Sequence, residues 1–534
     1  MQTQNAENLS DLGVMLDCSR GAVYRLSALK QFVDEIAEMG YTSLQLYSED
    51  VYAVAGEPYF GYLRGRYSAE EIRELDAYAA ERGVELIPCI QTLAHLSGIF
   101  RWDEYACCND TDDILLVGEE RTYQLLDRLF AFCAQNFRSR NVNIGMDEAH
   151  RLGLGKYLEK HGLRDRFSIL RDHLIKVCAI AQKYGFQPMM WSDMFFSSAN
   201  HGDYYGPAVP PGADELGIPS ELKVIYWDYM RRGYDKYDAL LKGHLQFGRE
   251  VVFAGGAWAW FGFVPHNAYS IAAAREALRA CSDNGVRRVF LALWKDDGSE
   301  SSLWSALPTL FVAAEYYRGN FDDASVSAAF SERFGVTLEE FLCAEDADGR
   351  GGICNPSKYL FYADPFLGIF DRTVDEKYAD VYKKTGQKLR KLCRGRFAEM
   401  FRTLADLCRF MEIKYALGYR VRKAYREGDR AALAALSEDF ARAESRLRAF
   451  IKSFTAQWNK ECKPFGFEKH DIRLGGLLQR LRHCRSRLRE YTEGKTACIE
   501  ELEEEILSFR KGQKDGEALD YNDWLFSSVI KPGL

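Results

Sequence analysis

The sequence has 534 residues, of which 47% are hydrophobic and 28% charged, and its formal net charge is −8. This length allows more than one domain and a large core. A mildly acidic chain lacks the concentrated basic face that nucleic acid requires, and no stretch approaches the roughly 18 uninterrupted apolar residues of a membrane span. We therefore expect neither nucleic acid nor a membrane as a partner.

The N-terminal residues 1–13 contain no basic start followed by an apolar run, so no secretory signal is visible. Fourteen cysteines occur without any CxxC pair, and the nine histidines lack the spacing of metal ligands. This pattern is typical of reduced thiols in a cytoplasmic protein rather than of a disulfide framework or a zinc site. The sequence thus predicts a cytoplasmic protein without a metal or cofactor.

Short apolar runs alternate with amphipathic helices through the first 320 residues. The predicted strands are 12–16, 43–47, 85–90, 142–146, 188–191, 223–227, 251–254 and 288–294. The helices predicted between and after them are 26–39, 69–82, 121–137, 167–184, 234–246, 270–282 and 305–317. Strands that are apolar throughout suit burial on both faces of a parallel sheet covered by helices.

Eight such units predict an α/β fold, a (β/α)8 TIM barrel over residues 1–320. A doubly wound open sheet is the alternative, and it is disfavoured because no glycine-rich phosphate turn follows the first strand. From residue 321 the pattern is helical only, with apolar stripes at three- and four-residue intervals in 397–415, 433–450 and 474–481. These stripes predict an all-α C-terminal domain over residues 321–534.

Catalytic groups of such barrels lie at the C-terminal ends of the strands and in the loops that follow. Acids and tryptophans crowd these positions. Each tryptophan taken singly is explained by core packing, but tryptophan faces also stack on pyranose rings, and carboxylates accept hydroxyl hydrogen bonds. The predicted rim carries Asp17, Arg20, Tyr47, Glu49, Asp50, Gln91, His95, Asp147, Glu148, Trp191, Asp193, Trp227, Asp228, Tyr229, Trp258, Trp260, Trp294, Asp296 and Asp297.

The adjacent pair Asp147 and Glu148 directly follows a predicted buried strand. Two carboxylates held together cannot both ionise freely, so one pKa rises and that group can act as an acid near neutral pH. A glycosidic oxygen is a poor leaving group and needs such a donor. Neighbours on a regular strand point to opposite faces. We therefore expect the backbone to turn here, so that both side chains face the barrel mouth.

The segment VNIGMDEAHRLG around this pair resembles the Asp-Glu signature of glycoside hydrolase family 20, the β-N-acetylhexosaminidases, and most closely its intracellular branch. Segments at four other strands agree in order: LIPCIQTLAHL, MMWSDMF, VIYWDYM and LALWKDDGSESSLWSALP. The resemblance spans roughly residues 12 to 320. It implies retaining, substrate-assisted removal of a terminal β-linked N-acetylglucosamine, with N-acetylgalactosamine left open, through an oxazolinium intermediate.

The resemblance also implies residue roles. Glu148 would protonate the glycosidic oxygen and then activate water, while Asp147 would orient the acetamido N–H and stabilise positive charge. The implied substrate contacts are Arg20 and His95 on the sugar and Asp296 on outer hydroxyls, with Trp191, Trp227 and Trp294 as walls and Asp228 in the same segment as Trp227. The implied partner is a small carbohydrate, and a homodimer is left open.

The sequence departs from the family in two places. The tyrosine that follows strand seven in many members is missing from AGGAWAWFG, so Tyr229 is predicted to substitute for it and Trp258 to line the pocket. The first strand begins near residue 12, which leaves no room before it for the N-terminal domain of secreted members. Two other hypotheses remain: a barrel glycosidase that uses Glu49 and Asp228 and needs no acetamido group, and a non-catalytic sugar-binding protein.

Overall fold

The computed structural model describes residues 11–296, 298–349 and 353–527. Packing divides the chain into two units. The described residues of the first are 11–258, Ala268–Trp294 and Thr309–Ser327, and those of the second fall within Ala259–Asn267, Lys295–Pro308 and 328–527. Two segments that follow barrel strands therefore pack with the second unit. The boundary between residues 320 and 321 stays a prediction.

The first unit is built on a closed barrel of eight parallel strands, which confirms the predicted architecture. Strand β1 pairs with β8, from Asp11 opposite Arg288 to Leu16 opposite Leu293, and this pairing closes the barrel. Nearly every strand residue is buried, as expected for strands covered on both faces. The strands are β1 Asp11–Asp17, β2 Ser43–Ser48, β3 Glu85–Ile90, β4 Asn141–Asn143, β5 Gln187–Trp191, β6 Lys223–Trp227, β7 Val251–Gly256 and β8 Arg288–Leu293.

Amphipathic helices follow the strands. The helix after β2 starts at a capping box, in which the Ser68 hydroxyl accepts from the Glu71 N–H and the Glu71 carboxylate accepts from the Ser68 N–H. The main helices are Leu26–Glu38, Ala69–Ala80, Glu120–Asn136, Arg166–Lys183, Tyr234–Gln246, Asn267–Asp283 and Leu307–Tyr317, with shorter ones at Ser97–Phe100, Lys156–His161 and Asp193–Ala199. A small antiparallel hairpin joins Asn109–Thr111 to Ile114–Leu115.

The later part of the chain is helical, as predicted. Its longest helix, Arg430–Glu461, buries the stripe residues Leu433, Phe440, Leu447 and Phe450 completely. The helices are Asp323–Phe334, Leu338–Leu342, Pro356–Tyr362, Tyr378–Lys391, Ala398–Lys414, Leu417–Arg426, Arg430–Glu461, Glu468–Thr492 and Glu500–Glu503. Among the described residues, no helix combines the length and apolar character needed to cross a membrane.

Candidate active site

The chain turns sharply just after β4. This strand ends at Asn143 rather than at residue 146, because Gly145 and Met146 adopt φ values of +68° and +67°. A side chain at Gly145 would place its Cβ 2.1 Å from Oε1 of Gln91, so only glycine fits there. Glu148 also has a positive φ, +51°. The turn breaks the alternation of a strand, and it allows neighbouring side chains to share one side.

Asp147 and Glu148 meet at the same imidazole. Nε2 of His95 lies 3.2 Å from Oδ2 of Asp147 and 3.7 Å from Oε2 of Glu148. His95 is in the loop after β3 and is itself in the left-handed region, with φ of +59°. Residues in such strained conformations concentrate at active sites. The structure thus brings together the two acids and the histidine that the sequence singled out.

Asp147 is buried but kept ionised. Its Oδ1 accepts a hydrogen bond of 2.9 Å from Nε2 of Gln91. Burial alone would raise the pKa of Asp147, but the charge of His95 and the hydrogen bonds from His95 and Gln91 hold that pKa below its ordinary value. On His95 itself, burial opposes the positive charge, and Asp147 outweighs it, so the pKa of the imidazole rises to about 9. The pair is therefore an imidazolium and a carboxylate at neutral pH.

Glu148 has the opposite electrostatic character. Half of its side chain (49%) is open to solvent, whereas only 10% of the Asp147 side chain is. Surrounding protein and then the negative charge of Asp147 raise the pKa of Glu148. Neighbouring acids with pKa values moved in opposite directions are what acid catalysis beside a fixed negative charge requires.

A third carboxylate supports the pair. The N–H of Glu148 donates to Oδ2 of Asp193 at 2.8 Å, which fixes the backbone of the turn. Burial, and then the charges of Asp147 and Glu148, raise the pKa of Asp193 to about 8, although hydrogen bonds from Glu148 and Trp227 oppose the shift. Asp193 is therefore mainly protonated at neutral pH, and it positions Glu148 without adding a full charge.

Arg20 joins the ends of β1, β2 and β8. Its Nε pairs with Oε1 of Glu49 at 2.9 Å, and a second guanidinium nitrogen donates to the Tyr47 hydroxyl at 3.3 Å. The guanidinium also lies 5.1 Å from the centre of the Trp294 ring. Nε2 of Gln91 donates to the same Tyr47 hydroxyl at 3.1 Å, so this network continues to Asp147. A guanidinium held by Glu49 and Tyr47 and linked to Asp147 is suited to binding hydroxyl groups.

Aromatic rings surround the pair. The Trp191 and Trp294 rings lie 6.1 Å apart, and Trp227 stacks on Tyr229 at 5.2 Å. Burial raises the pKa of Tyr229, the neighbouring Trp294 indole opposes this shift, and the charges of Asp147 and Glu148 add to it. The role of Tyr229 as a substitute for the missing tyrosine stays a prediction.

Two other residues predicted to contact a ligand, Asp228 and Trp258, are instead held by neighbouring protein groups. The Asp228 side chain has no exposed surface, and it accepts from the Tyr226 hydroxyl at 2.8 Å and from Nε of Arg231 at 3.0 Å. Its carboxylate stabilises this segment and is shielded from a ligand. Trp258 is 2% exposed, and its indole N–H donates to the Tyr229 carbonyl at 2.7 Å, so it holds Tyr229 in place. Its contact with a ligand stays a prediction.

Asp296 lies in the segment Lys295–Pro308, which packs with the second unit, and its contact with a sugar stays a prediction. Asp297, another predicted rim acid, lies outside the described residues. The sequence places Gln91, Tyr47 and Asp193 at strand ends but predicts no substrate role for them. A polar residue next to a buried strand does not reveal which side chain it will contact in the folded protein. Within the described residues, no group of three His, Cys, Asp or Glu side chains could hold a metal ion.

Comparison with known proteins now supplies independent observations. The model of the glycosyl hydrolase family 20 catalytic domain matches residues 33–208, which include the turn after β4. A second model, the glycoside hydrolase 20C C-terminal domain, matches residues 337–520. The two models belong to one family and match both the barrel part and the helical part of the chain.

Two curated relatives are similar over shorter stretches. A β-hexosaminidase of Vibrio furnissii is 28% identical over 173 residues, which cover 26% of this chain and 28% of the relative. Human hexosaminidase D is 21% identical over 222 residues, which cover 39% of this chain and 43% of the relative. The match thus spans less than half of the length of either relative.

Solved structures superpose on part of this chain. A β-N-acetylhexosaminidase of Bacteroides fragilis NCTC 9343 superposes with a TM-score of 0.49 at 17% identity, covering 61% of this chain and 71% of that one. An exo-β-N-acetylglucosaminidase of Vibrio harveyi, solved in complex with N-acetylglucosamine, gives 0.45 at 15% identity, covering 62% of this chain and 57% of that one.

Proposed function

We propose that this chain, which belongs to glycoside hydrolase family 20, is a retaining exo-β-N-acetylhexosaminidase that acts with the help of the substrate's acetamido group. One observation carries the proposal. Adjacent acids leave a single strained turn at the barrel mouth, and the pKa of one is lowered while the pKa of the other is raised. Such a pair can supply a proton and a fixed negative charge to the same sugar ring.

Glu148 is the general acid and base. Its raised pKa favours the protonated carboxyl, and its half-exposed side chain can reach a ligand in the mouth. It gives its proton to the glycosidic oxygen as the bond to the anomeric carbon breaks. The resulting carboxylate then takes a proton from the water that attacks the anomeric carbon, which restores the acid.

Asp147 stabilises the intermediate. The acetamido oxygen of the substrate attacks the anomeric carbon, and positive charge spreads over the oxazolinium ring that forms. A buried carboxylate kept ionised by His95 accepts a hydrogen bond from the acetamido N–H and offsets that charge in a site of low dielectric constant. Because the charge develops only during the reaction, Asp147 lowers the barrier more than it strengthens binding.

The surrounding residues bind and orient the sugar. Trp191, Trp227 and Trp294 form apolar walls around the ring and the acetamido methyl, and Tyr229 is the donor to the acetamido oxygen. Arg20, held by Glu49, binds sugar hydroxyls. The substrate is a carbohydrate with a terminal β-linked N-acetylglucosamine, with N-acetylgalactosamine as a second option. The cysteine pattern supports a cytoplasmic location.

The structure gives less support to a glycosidase that uses Glu49 and Asp228. The Asp228 carboxylate is fully enclosed by Tyr226 and Arg231, and Glu49 is paired with Arg20. Asp228 is therefore closed to a ligand, and Glu49 already holds Arg20. A purely sugar-binding protein would also gain nothing from the strained turn that presents Glu148.

Hydrolysis of paired 4-nitrophenyl β-glycosides tests the proposal. The protein should cleave the 2-acetamido sugar and leave the plain glucoside essentially intact, because only the former carries its own nucleophile. In the Asp147→Asn variant, kcat for the acetamido sugar should fall by about 10²- to 10³-fold, with a much smaller change in KM. Equal cleavage of both sugars, or sugar binding without turnover, would overturn the proposal.

A further inference from the structure

Three aromatic side chains from two loops form a cluster at the rim of the barrel. Tyr59 and Tyr62 belong to the loop after β2 (residues 49–68), and Trp102 to the loop after β3 (residues 91–119). Trp102 lies 5.6 Å from Tyr59 and 5.2 Å from Tyr62, and the two tyrosine rings are 6.0 Å apart. We call these three side chains the aromatic platform.

The two tyrosines of the aromatic platform are exposed, whereas Trp102 is partly buried. Tyr59 is 41% exposed and Tyr62 44%, and the neighbouring Leu63 is 62% exposed. Within the described residues, neither tyrosine hydroxyl makes a hydrogen bond. Leu63 also has a φ of +61°, a conformation that is costly for a residue with a side chain. An apolar side chain held both in water and in a strained conformation indicates a surface kept for contact with a ligand.

The loop that carries the tyrosines is rigid. Glu57 is completely buried, and its carboxylate accepts hydrogen bonds from the Tyr105 hydroxyl at 2.9 Å, from Arg121 at 2.6 and 2.8 Å, and from Arg128 at 2.9 Å. Tyr105 belongs to the same loop as Trp102, so this cluster fixes the two loops to each other. The rings are therefore held in place before any ligand arrives, which reduces the entropy lost on binding.

Close backbone packing fixes the loop at a second point. Gly61 has a φ of +68°, and a Cβ there would lie 2.1 Å from the carbonyl oxygen of Asp50. The Asp50 carboxylate accepts from Nε of Arg64 at 3.2 Å. It also packs so closely against Gly98 that a Cβ on that residue would lie 2.7 Å from Oδ2. Asp50, at the start of the first loop, thus holds the tip of that loop and packs against the second loop.

Both loops also begin inside the candidate active site. Glu49, at the start of the first, pairs with Arg20, while Gln91 and His95, at the start of the second, contact Asp147. The aromatic platform therefore stands on the same rim as Glu148, the residue that protonates the leaving group. Aromatic faces stack on the C–H faces of pyranose rings, and free phenol hydroxyls can bond to sugar hydroxyls.

We propose that the aromatic platform binds a sugar ring on the leaving-group side of the scissile bond, so that the preferred substrates are oligosaccharides rather than single sugars on small aglycones. This inference rests on the proposed function. The occupant is a pyranose because the rings are fixed, the two tyrosines are exposed, and both loops begin at the residues proposed to cleave a glycosidic bond.

Two substrates with chemically similar leaving groups test this inference: methyl β-N-acetylglucosaminide and a β-linked trisaccharide of N-acetylglucosamine. Both leave as alcohols once Glu148 has given its proton, but only the trisaccharide has a ring to stack. Tyr62→Ala and Trp102→Ala should each lower kcat/KM for the trisaccharide by about five- to tenfold, the range expected for one lost aromatic contact, and change the methyl glycoside less than about twofold. Tyr62→Phe keeps the ring and should retain most of the trisaccharide activity.

Ile175→Ala is the matched control, because Ile175 is 43% exposed on the outer helix Arg166–Lys183 and should alter neither substrate. Equal losses on both substrates, or no loss on either, would overturn the inference while leaving the proposed function standing. Failure of the unmodified protein to cleave either substrate would instead reject the proposed function. Sedimentation of the same variants shows whether the platform joins two copies of the chain; dissociation without a change in substrate preference would also overturn the inference.

Discussion

Two regions of the molecule place a glutamate in opposite surroundings, and its pKa shifts in opposite directions. In the second unit, Glu300 has 1% of its side chain exposed, and its Oε2 lies 2.7 Å from Nζ of Lys358, which is fully buried. Tyr362 donates to the same carboxylate at 3.2 Å. Burial would raise the pKa of Glu300, but Lys358, Arg473 and His470 lower it. In the barrel, Glu148 is half exposed, and its pKa is raised.

The contrast shows that a buried charge by itself does not mark an active site. Glu300 is compensated by nearby cations, so its ionised form is the stable one and it has no proton to give at neutral pH. At Glu148, burial and the negative charge of Asp147 outweigh the nearby His95, so its pKa is raised, and the side chain remains open to a ligand. An acid that is destabilised as an anion and yet accessible is the one suited to catalysis.

The sharpest test of this contrast is Glu148→Gln. The variant keeps the shape of the side chain but has no proton to donate, so turnover of substrates with poor leaving groups should fall by about 10²- to 10⁴-fold. Sugar binding, measured by calorimetry with N-acetylglucosamine, should remain. A dinitrophenyl glycoside, whose leaving group needs no proton, should lose much less in its first step. Near-normal turnover of the oligosaccharide would remove Glu148 from the mechanism.

Glu300→Gln should have the opposite effect: it should lower stability rather than remove a proton donor. It leaves the buried ammonium of Lys358 without its counter-charge, and the free energy of unfolding should drop by about 3–5 kcal/mol in denaturant titrations. Glu148→Gln should change it by less than about 1 kcal/mol, since that side chain is half exposed. The double variant Glu300→Gln/Lys358→Met removes both charges and should regain part of the loss. Equal stability of the two single variants would contradict the comparison.

A smaller effect is expected for His95→Asn. Without the imidazolium, the pKa of Asp147 rises, so the acidic limb of kcat/KM should move to higher pH. The pKa of His95 is raised from 6.5 to about 9, so its ion pair stabilises the fold fully below pH 6.5, and this contribution is lost as the pH rises through about 9. The His95→Asn variant should not show this loss of stability with rising pH in unfolding experiments. An unmoved acidic limb would show that His95 does not control Asp147.

Much of the fold was predictable from local pattern. The strands 85–90 and 223–227 and the helix 234–246 agree with the structure at both ends. The hydrophobic periodicity of a helix or a strand depends only on the residues of that segment, so it can be recognised from the local sequence. The main error in the barrel was β4, predicted to run to residue 146, because a positive φ at Met146 cannot be read from an apolar side chain.

The candidate site was predictable in composition but not in arrangement. Asp147 and Glu148 stood out as acids after a buried strand, and Tyr229 was singled out because a family tyrosine was missing. The enclosure of Asp228 and the holding role of Trp258 could not be foreseen, because both depend on partners such as Arg231 and the Tyr229 carbonyl. A side chain at a strand end has the same local signal whether it faces a ligand or a neighbouring loop.

The sequence alone determined the eight-strand barrel, the helical second part and the position of the acid pair proposed to carry the chemistry, since each follows from the order of residues along short segments. Only the tertiary structure decided which acid is ionised, which is open and which loops meet at the rim. Those properties arise from burial and from charges on residues far apart in the chain, such as His95 and Asp147, and electrostatic energy depends on their distance in space.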